Sequence, residues 1–209
     1  MRRIVVITLL LTLLSPSNTQ ASPIDALTAL NNLEVKGRAA KTGYARSQFP
    51  HWSDPDRNGC DARNDTLKRD LTNVTYKVGT RECKVIAGQL LDPFSGKVIT
   101  FSTTKVVIDI DHVVALSNAW QTGAAYFDKT KRQQIANDPL NLLAVDFSLN
   151  RQKGDGDAAT WLPPLKSYRC DYVARQIAVK AKYGLWVTQP EKGAIIKLLE
   201  KCEGQKLPN

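Results

Sequence analysis

Residues 105–116 read Lys-Val-Val-Ile-Asp-Ile-Asp-His-Val-Val-Ala-Leu, and the reading of this stretch decides the fold. Lys105 to Ile110 is the kind of apolar, β-branched run expected of a strand, and it leads straight into Asp111-His112. Alternation puts Asp109 and Asp111 on one face and His112, where the strand continues, on the other. Two carboxylates and an imidazole at a strand end are poor core material, because each must be paired or solvated. A strand that leaves the core and turns polar would have the same composition, so the flanking segments must decide between the readings.

Upstream, the β-type segments Val74–Val78, Cys83–Leu91 and Lys97–Ser102 are expected, with Asp92-Pro93-Phe94-Ser95-Gly96 as the turn between the last two. Tyr44 to Asn64, rich in Asp, Asn, Gly, Pro and Arg, reads as loop, and Asp65 to Leu71 as a short helix. A helix or loose lead-in is expected over residues 22–36. Downstream, helical stretches are expected over Ala115–Tyr126 and Lys129–Asn137, a short strand over Leu142–Val145 and a helical turn over Phe147–Lys153. Two helices close the chain, about 168–183 and 189–202. The second opens on Thr188-Gln189-Pro190-Glu191, with a capping Thr, a Glu three residues on and a proline in the first turn. The fold class is α+β in a single domain, with a strand–strand–helix unit over about 105–153.

The ends of the chain bear on where it works. Arg2 and Arg3 precede an unbroken apolar run, Ile4 to Leu14, followed by Ser15-Pro16 and then Thr19-Gln20-Ala21, the pattern of a secretory signal peptide over residues 1–21. The run is too short to span a bilayer, which takes about 20 residues. The expected mature chain, residues 22–209, is therefore secreted or periplasmic, free of the membrane and monomeric. Loss of two arginines and no acids lowers the net charge from +9 to +7, compatible with a polyanionic partner. Cys60, Cys83, Cys170 and Cys202 form no C-x-x-C pair, and an even count behind a signal peptide reads as two disulfides. Of the three possible connectivities, Cys60–Cys83 with Cys170–Cys202 is favoured, because each bridge closes a loop within one half of the chain.

His51 and His112 are the only histidines, which excludes a His₃ zinc centre and an H-E-x-x-H helix. Asn141 precedes the Leu142 strand, and Asn150 follows nine residues later in Asn150-Arg151-Gln152-Lys153-Gly154-Asp155. The order acid–His, Asn, Asn resembles the HNH motif of the ββα-metal (His-Me finger) endonucleases, with the last His replaced by Asn. The resemblance is closest to a secreted branch related to the nuclease domain of modification-dependent (type IV) restriction enzymes. It is carried by Asp-His-Val-Val-Ala-Leu (111–116), Ala-Asn-Asp-Pro (136–139), Asn-Leu-Leu-Ala-Val (141–145), Asn-Arg-Gln-Lys-Gly-Asp (150–155) and Trp-Leu-Pro-Pro (161–164). Gly59-Cys60-Asp61-Ala62-Arg63-Asn64 upstream is also similar, so the resemblance runs from about Tyr44 to Cys202.

What the resemblance implies is an exported, metal-dependent endonuclease of low sequence specificity that hydrolyses DNA, with RNA as a further substrate. His112 is then the general base and Asn141 the residue that braces it. Asp111 and Asn150 are the ligands of one divalent metal ion. Hard oxygen ligands and the loss of the usual last His favour Mg²⁺ or Mn²⁺ over zinc. Arg151, Lys153, Arg46 and Arg63 are candidates for phosphate contact, and Asp109 and Asp155 for support of the ligands. Asp157 is expected to cap a following helix. Trp52, beside His51 in a polar loop, is a candidate for base stacking. Two other classes remain: an exported nucleic-acid-binding or uptake protein without turnover, and a carbohydrate hydrolase using Asp109 and Asp111. The second leaves His112, Asn141 and Asn150 without a role.

Overall fold

The computed structural model describes residues 24–208; the signal peptide expected over residues 1–21 lies outside them. The chain is α+β. In order it forms α1 (Ala26–Asn31), α2 (Ala62–Asp70), β1 (Thr72–Tyr76), β2 (Val85–Leu91), β3 (Val98–Ser102), β4 (Ile108–His112), α3 (Leu116–Gln121), α4 (Lys129–Asn137), β5 (Leu142–Asp146), α5 (Phe147–Lys153), α6 (Arg169–Tyr183) and α7 (Gln189–Leu199). β1, β2 and β3 form one antiparallel sheet in that order, and β4 and β5 form a second, separate antiparallel pair.

The β4–β5 pair is packed on both faces, which explains why β5, Leu-Leu-Ala-Val-Asp, reads as a nearly continuous apolar run. Ile110 lies opposite Ala144 and His112 opposite Leu142, while Asp111 lies opposite Leu143 and Asp109 opposite Val145. Cross-strand partners share a face. One face, with Ile108, Ile110, Leu142 and Ala144, packs on α2 and the three-stranded sheet. The other, with Leu143 and Val145, packs on α1, α6 and α7. Asp109 and Asp111 therefore lie on the face turned to α5 and the C-terminal helices. A third cluster joins Phe49, Trp120, α3 and α4 to Val179 and Tyr183 of α6.

β4 starts at Ile108 rather than Lys105. Ser102 bridges to Lys105 at the end of the small sheet, and Val106 is exposed, so the chain is still crossing between sheets there. The helix expected to reach Tyr126 ends at Gln121, because Gly123 adopts φ +133°, which no helix can contain. α2 begins at Ala62, within the expected loop, because Asp61 caps it by accepting from the Asn64 amide. α7 starts with the expected capping box, Thr188 accepting from the Glu191 amide and Glu191 from the Thr188 amide. No helix starts at Asp157, whose side chain instead closes a turn through the Ala159 amide. Both expected disulfides are present, Cys60–Cys83 holding the lead into α2 against β2 and Cys170–Cys202 holding α6 to the end of α7. Among the described residues, no helix is long and apolar enough to cross a membrane.

Candidate active site

β4 pairs with β5 along one edge only, and four of its consecutive residues line a cleft of about 630 Å³. Asp109, Ile110, Asp111 and His112 all line it, with Asn150, Arg151 and Gly154 from α5 and its cap on one side. Arg46, Trp52 and Arg63 close it from the N-terminal segment.

His112 is 4 % exposed. Its Nε2 lies 2.9 Å from the carbonyl oxygen of Ala136. A carbonyl only accepts, so Nε2 carries the proton and Nδ1 keeps its lone pair. Burial drives the imidazole pKa down to about 3, with Arg46 and Lys153 adding to the shift and the Ala136 carbonyl opposing it. His112 is thus a neutral imidazole of defined tautomer. Trp52 covers it at a ring-centroid distance of 5.8 Å and an interplanar angle of 30°, and His51 stands edge-on at 6.4 Å.

The carbonyl that orients His112 comes from the last turn of α4, where a helix has C=O groups without intrahelical partners. Asn141 takes the adjacent one, donating from Nδ2 to Ile135 O at 3.1 Å. It also accepts the Val114 amide at 2.8 Å and donates to Val114 O at 3.3 Å, while its own carbonyl accepts the Val113 amide. The two residues after His112 are thereby held to the turn before β5. Arg69 and Arg175 fasten that turn from outside through the carbonyls of Pro139 and Leu142, and Gln176 donates to Val113 O.

On the opposite face of β4, Asp111 is 4 % exposed and accepts at Oδ1 from Lys153 Nζ, 2.7 Å away. The same ammonium donates to His112 O at 2.8 Å. Burial pushes the Asp111 carboxyl up, and Lys153 opposes that shift. Asp111 Oδ2 is buried with no hydrogen-bond partner. Asn150 donates from Nδ2 to Asp109 Oδ2 at 3.2 Å, and Arg151 Nε lies 3.7 Å from the same oxygen.

The structure therefore brings His112, Asp109, Asp111, Asn150, Arg151, Arg46 and Arg63 to one cleft. Lys153, expected at the phosphate, points inward instead: its side chain is wholly buried and committed to Asp111. Asp155 does not line the cleft; it accepts from Lys41 and Ser117 and ties the N-terminal segment to the start of α3. The Ala136 carbonyl carried no sequence signal, since any residue there presents the same group. Lys153 could have been read as a partner of Asp111 only by placing α5 beside β4.

Among the described residues, no group of three or more His, Cys, Asp or Glu side chains is placed to hold a metal ion. The donors at hand are hard oxygens, the partnerless Asp111 Oδ2 and the Asn150 side-chain carbonyl. A buried carboxylate oxygen without a partner, in a cleft that an amide side chain also lines, fits a small divalent ion that keeps most of its waters.

Residues 61–198 match the family model of the C-terminal domain of the GmrSD restriction endonucleases, and the chain belongs to that family. Membership points to a nuclease-type function. A protein of Arthroderma benhamiae (strain ATCC MYA-4681 / CBS 112371), described as an uncharacterized secreted protein, is 39% identical over 189 residues, spanning 90% of this chain and 88% of that one. No solved structure matches.

Proposed function

We propose that this protein is an exported, metal-dependent endonuclease that hydrolyses phosphodiester bonds of DNA, and of RNA, with little sequence specificity. The observation that carries this reading is the neutral His112, held by the Ala136 carbonyl in the tautomer that leaves Nδ1 free beside an arginine-lined cleft. A neutral imidazole whose Nδ1 keeps its lone pair can accept a proton from water. Water gives that proton to Nδ1, its oxygen bonds to phosphorus, and the bond from phosphorus to the leaving oxygen breaks with its electron pair on that oxygen, which takes a proton from solvent. Asn141 keeps the imidazole in place through the 113–114 backbone, and Arg46, Arg63 and Arg151 bind the phosphate backbone. Asp111 and Asn150 would hold one Mg²⁺ or Mn²⁺, which when bound stabilises charge on the phosphate. Export is supported by the charged and apolar leader, the two disulfides and the printed description of the Arthroderma relative.

The test is cleavage of plasmid and labelled oligonucleotides by oxidised protein with Mg²⁺, Mn²⁺ or EDTA, beside His112→Ala. Loss of a general base is expected to lower the rate by about 10²–10⁴-fold with the fold retained. Cleavage at an unchanged rate in that variant removes His112 from the mechanism. No cleavage by folded wild-type protein with either metal favours a binding protein without turnover.

A further inference from the structure

The charges around the cleft are unbalanced in a way that bears on how a cation is retained. Arg46, Arg63 and Arg151 line it against two carboxylates, Asp109 and Asp111. Both acids already have a cationic neighbour, Lys153 at 2.7 Å from Asp111 and Arg151 at 3.7 Å from Asp109. With Lys153 included, the cations outnumber the carboxylates by two. Lys153 cannot swing away as a surface lysine would, since its side chain is wholly buried and two of its donors are used by Asp111 Oδ1 and His112 O. Its Nζ is held in place against Asp111 by these contacts. A divalent ion entering the cleft towards Asp111 therefore meets three lining arginines and a carboxylate already paired with Lys153, whereas a polyanion meets attraction.

We propose that the cleft takes the phosphate backbone first, and that the divalent ion is retained at Asp111 and Asn150 only after the phosphate has supplied the missing negative charge. This rests on the nuclease reading of the same site. Lys153 is the positioning residue: it leaves Asp111 a single oxygen for the ion and keeps the free protein's affinity for the ion low. Linkage makes the effect reciprocal, so the cation and the nucleic acid raise each other's affinity by one common factor.

The experiment uses Mn²⁺ as the probe, its free form measured by electron paramagnetic resonance. Oxidised His112→Ala protein, which keeps both cation ligands, is titrated with and without a saturating oligonucleotide, and Mn²⁺ bound by the oligonucleotide alone is subtracted. Oligonucleotide binding is followed by fluorescence anisotropy in EDTA and in Mn²⁺. The expected results are binding in EDTA and Mn²⁺ affinity at least about tenfold higher with oligonucleotide present. Without nucleic acid, Lys153→Met tightens Mn²⁺ binding. Should that buried substitution prevent folding, the exposed Arg151→Gln is expected to act in the same direction more weakly. Equal Mn²⁺ affinity with and without oligonucleotide, or loss of oligonucleotide binding in EDTA, overturns the proposal. Those results with wild-type cleavage intact leave the nuclease reading standing; absence of both binding and cleavage removes that reading as well.

Discussion

Replacing Asn141 by leucine keeps most of the side-chain volume and removes all of its polarity. In the native fold that side chain is fully buried, accepts one amide and donates to two carbonyls. Leucine leaves the Val114 amide and the Ile135 carbonyl without these partners. A buried polar group left unsatisfied costs about 1–3 kcal/mol, and the third bond, at 3.3 Å, adds less. The expected loss is about 3–5 kcal/mol, a large share of the roughly 5–15 kcal/mol that holds a domain folded. The measurement is urea unfolding of the oxidised protein, followed in parallel by circular dichroism and tryptophan fluorescence. The midpoint should fall while the slope of the transition stays unchanged. Cleavage at a temperature where the variant is still folded should also drop, since the chain after His112 has lost its anchor. A stability loss under about 1 kcal/mol would refute the reasoning, because it would mean that these bonds are replaceable by solvent or by relaxation of the turn.

Acid should weaken the fold through His112. Its folded pKa of about 3 lies below the ordinary 6.5, so the unfolded chain binds the extra proton between those values, and stability is lost as pH falls through that window. The slope contributed is at most about 1.4 kcal/mol per pH unit. Asp111, with its carboxyl pushed up, acts in the opposite sense, so the comparison is between wild type and His112→Phe; parallel stability–pH curves would exclude His112 as the source. Lys180 and Glu191 form a buried ion pair at 2.7 Å, and Glu191 also completes the α7 capping box. Glu191→Leu alone should cost about 3–5 kcal/mol in a denaturant titration, and adding Lys180→Met should restore much of it. Joint replacement of Cys170 and Cys202 by serine opens a loop with a sequence separation of 32 residues and should cost about 3–4 kcal/mol; a loss under about 1 kcal/mol would show that α6 and α7 are already held together in the unfolded chain.

Much of the secondary structure is legible because the apolar residues of β4 and α6 follow the period of their elements, β5 is a short apolar run, and Thr188 sits where a cap belongs. The polar residues at the end of β4 announce a site for the opposite reason: their placement breaks the rule for a core strand. What could not be read is how the α4 turn and α5 lie against β4. Lys153 has the same residue type and spacing as a phosphate-binding lysine; only the packing of α5 against β4 turns it inward. Gln176 and Arg175 are residue types common on the polar side of any helix, yet their bonds go to the loops flanking the site. Asp155 sat next to a functional string and is used to hold the N-terminal segment.

The segment between β4 and β5, residues 113–141, is part of the site even though it contributes no residue with reactive chemistry. An antiparallel pair can be closed by two residues, so the connection here is far longer than the pairing needs. Its effect is to return the C-terminal turn of α4 to the end of β4, where unpaired carbonyls are unavoidable consequences of helix geometry. His112 and Asn141, at the two strand ends that the segment joins, each satisfy one of them. The same contacts that cap the helix therefore set the tautomer of the proposed base, and the fold cannot loosen at α4 without releasing His112. Substitutions in α4 that shift its last turn, far from any substrate, should consequently impair cleavage before they unfold the chain. Ile135→Ala, which hollows out a fully buried position beside the Ala136 carbonyl, is the variant to compare with surface changes in the same helix. Equal activity in both would mean that Ala136 serves only as a cap and that the orientation of His112 is set elsewhere.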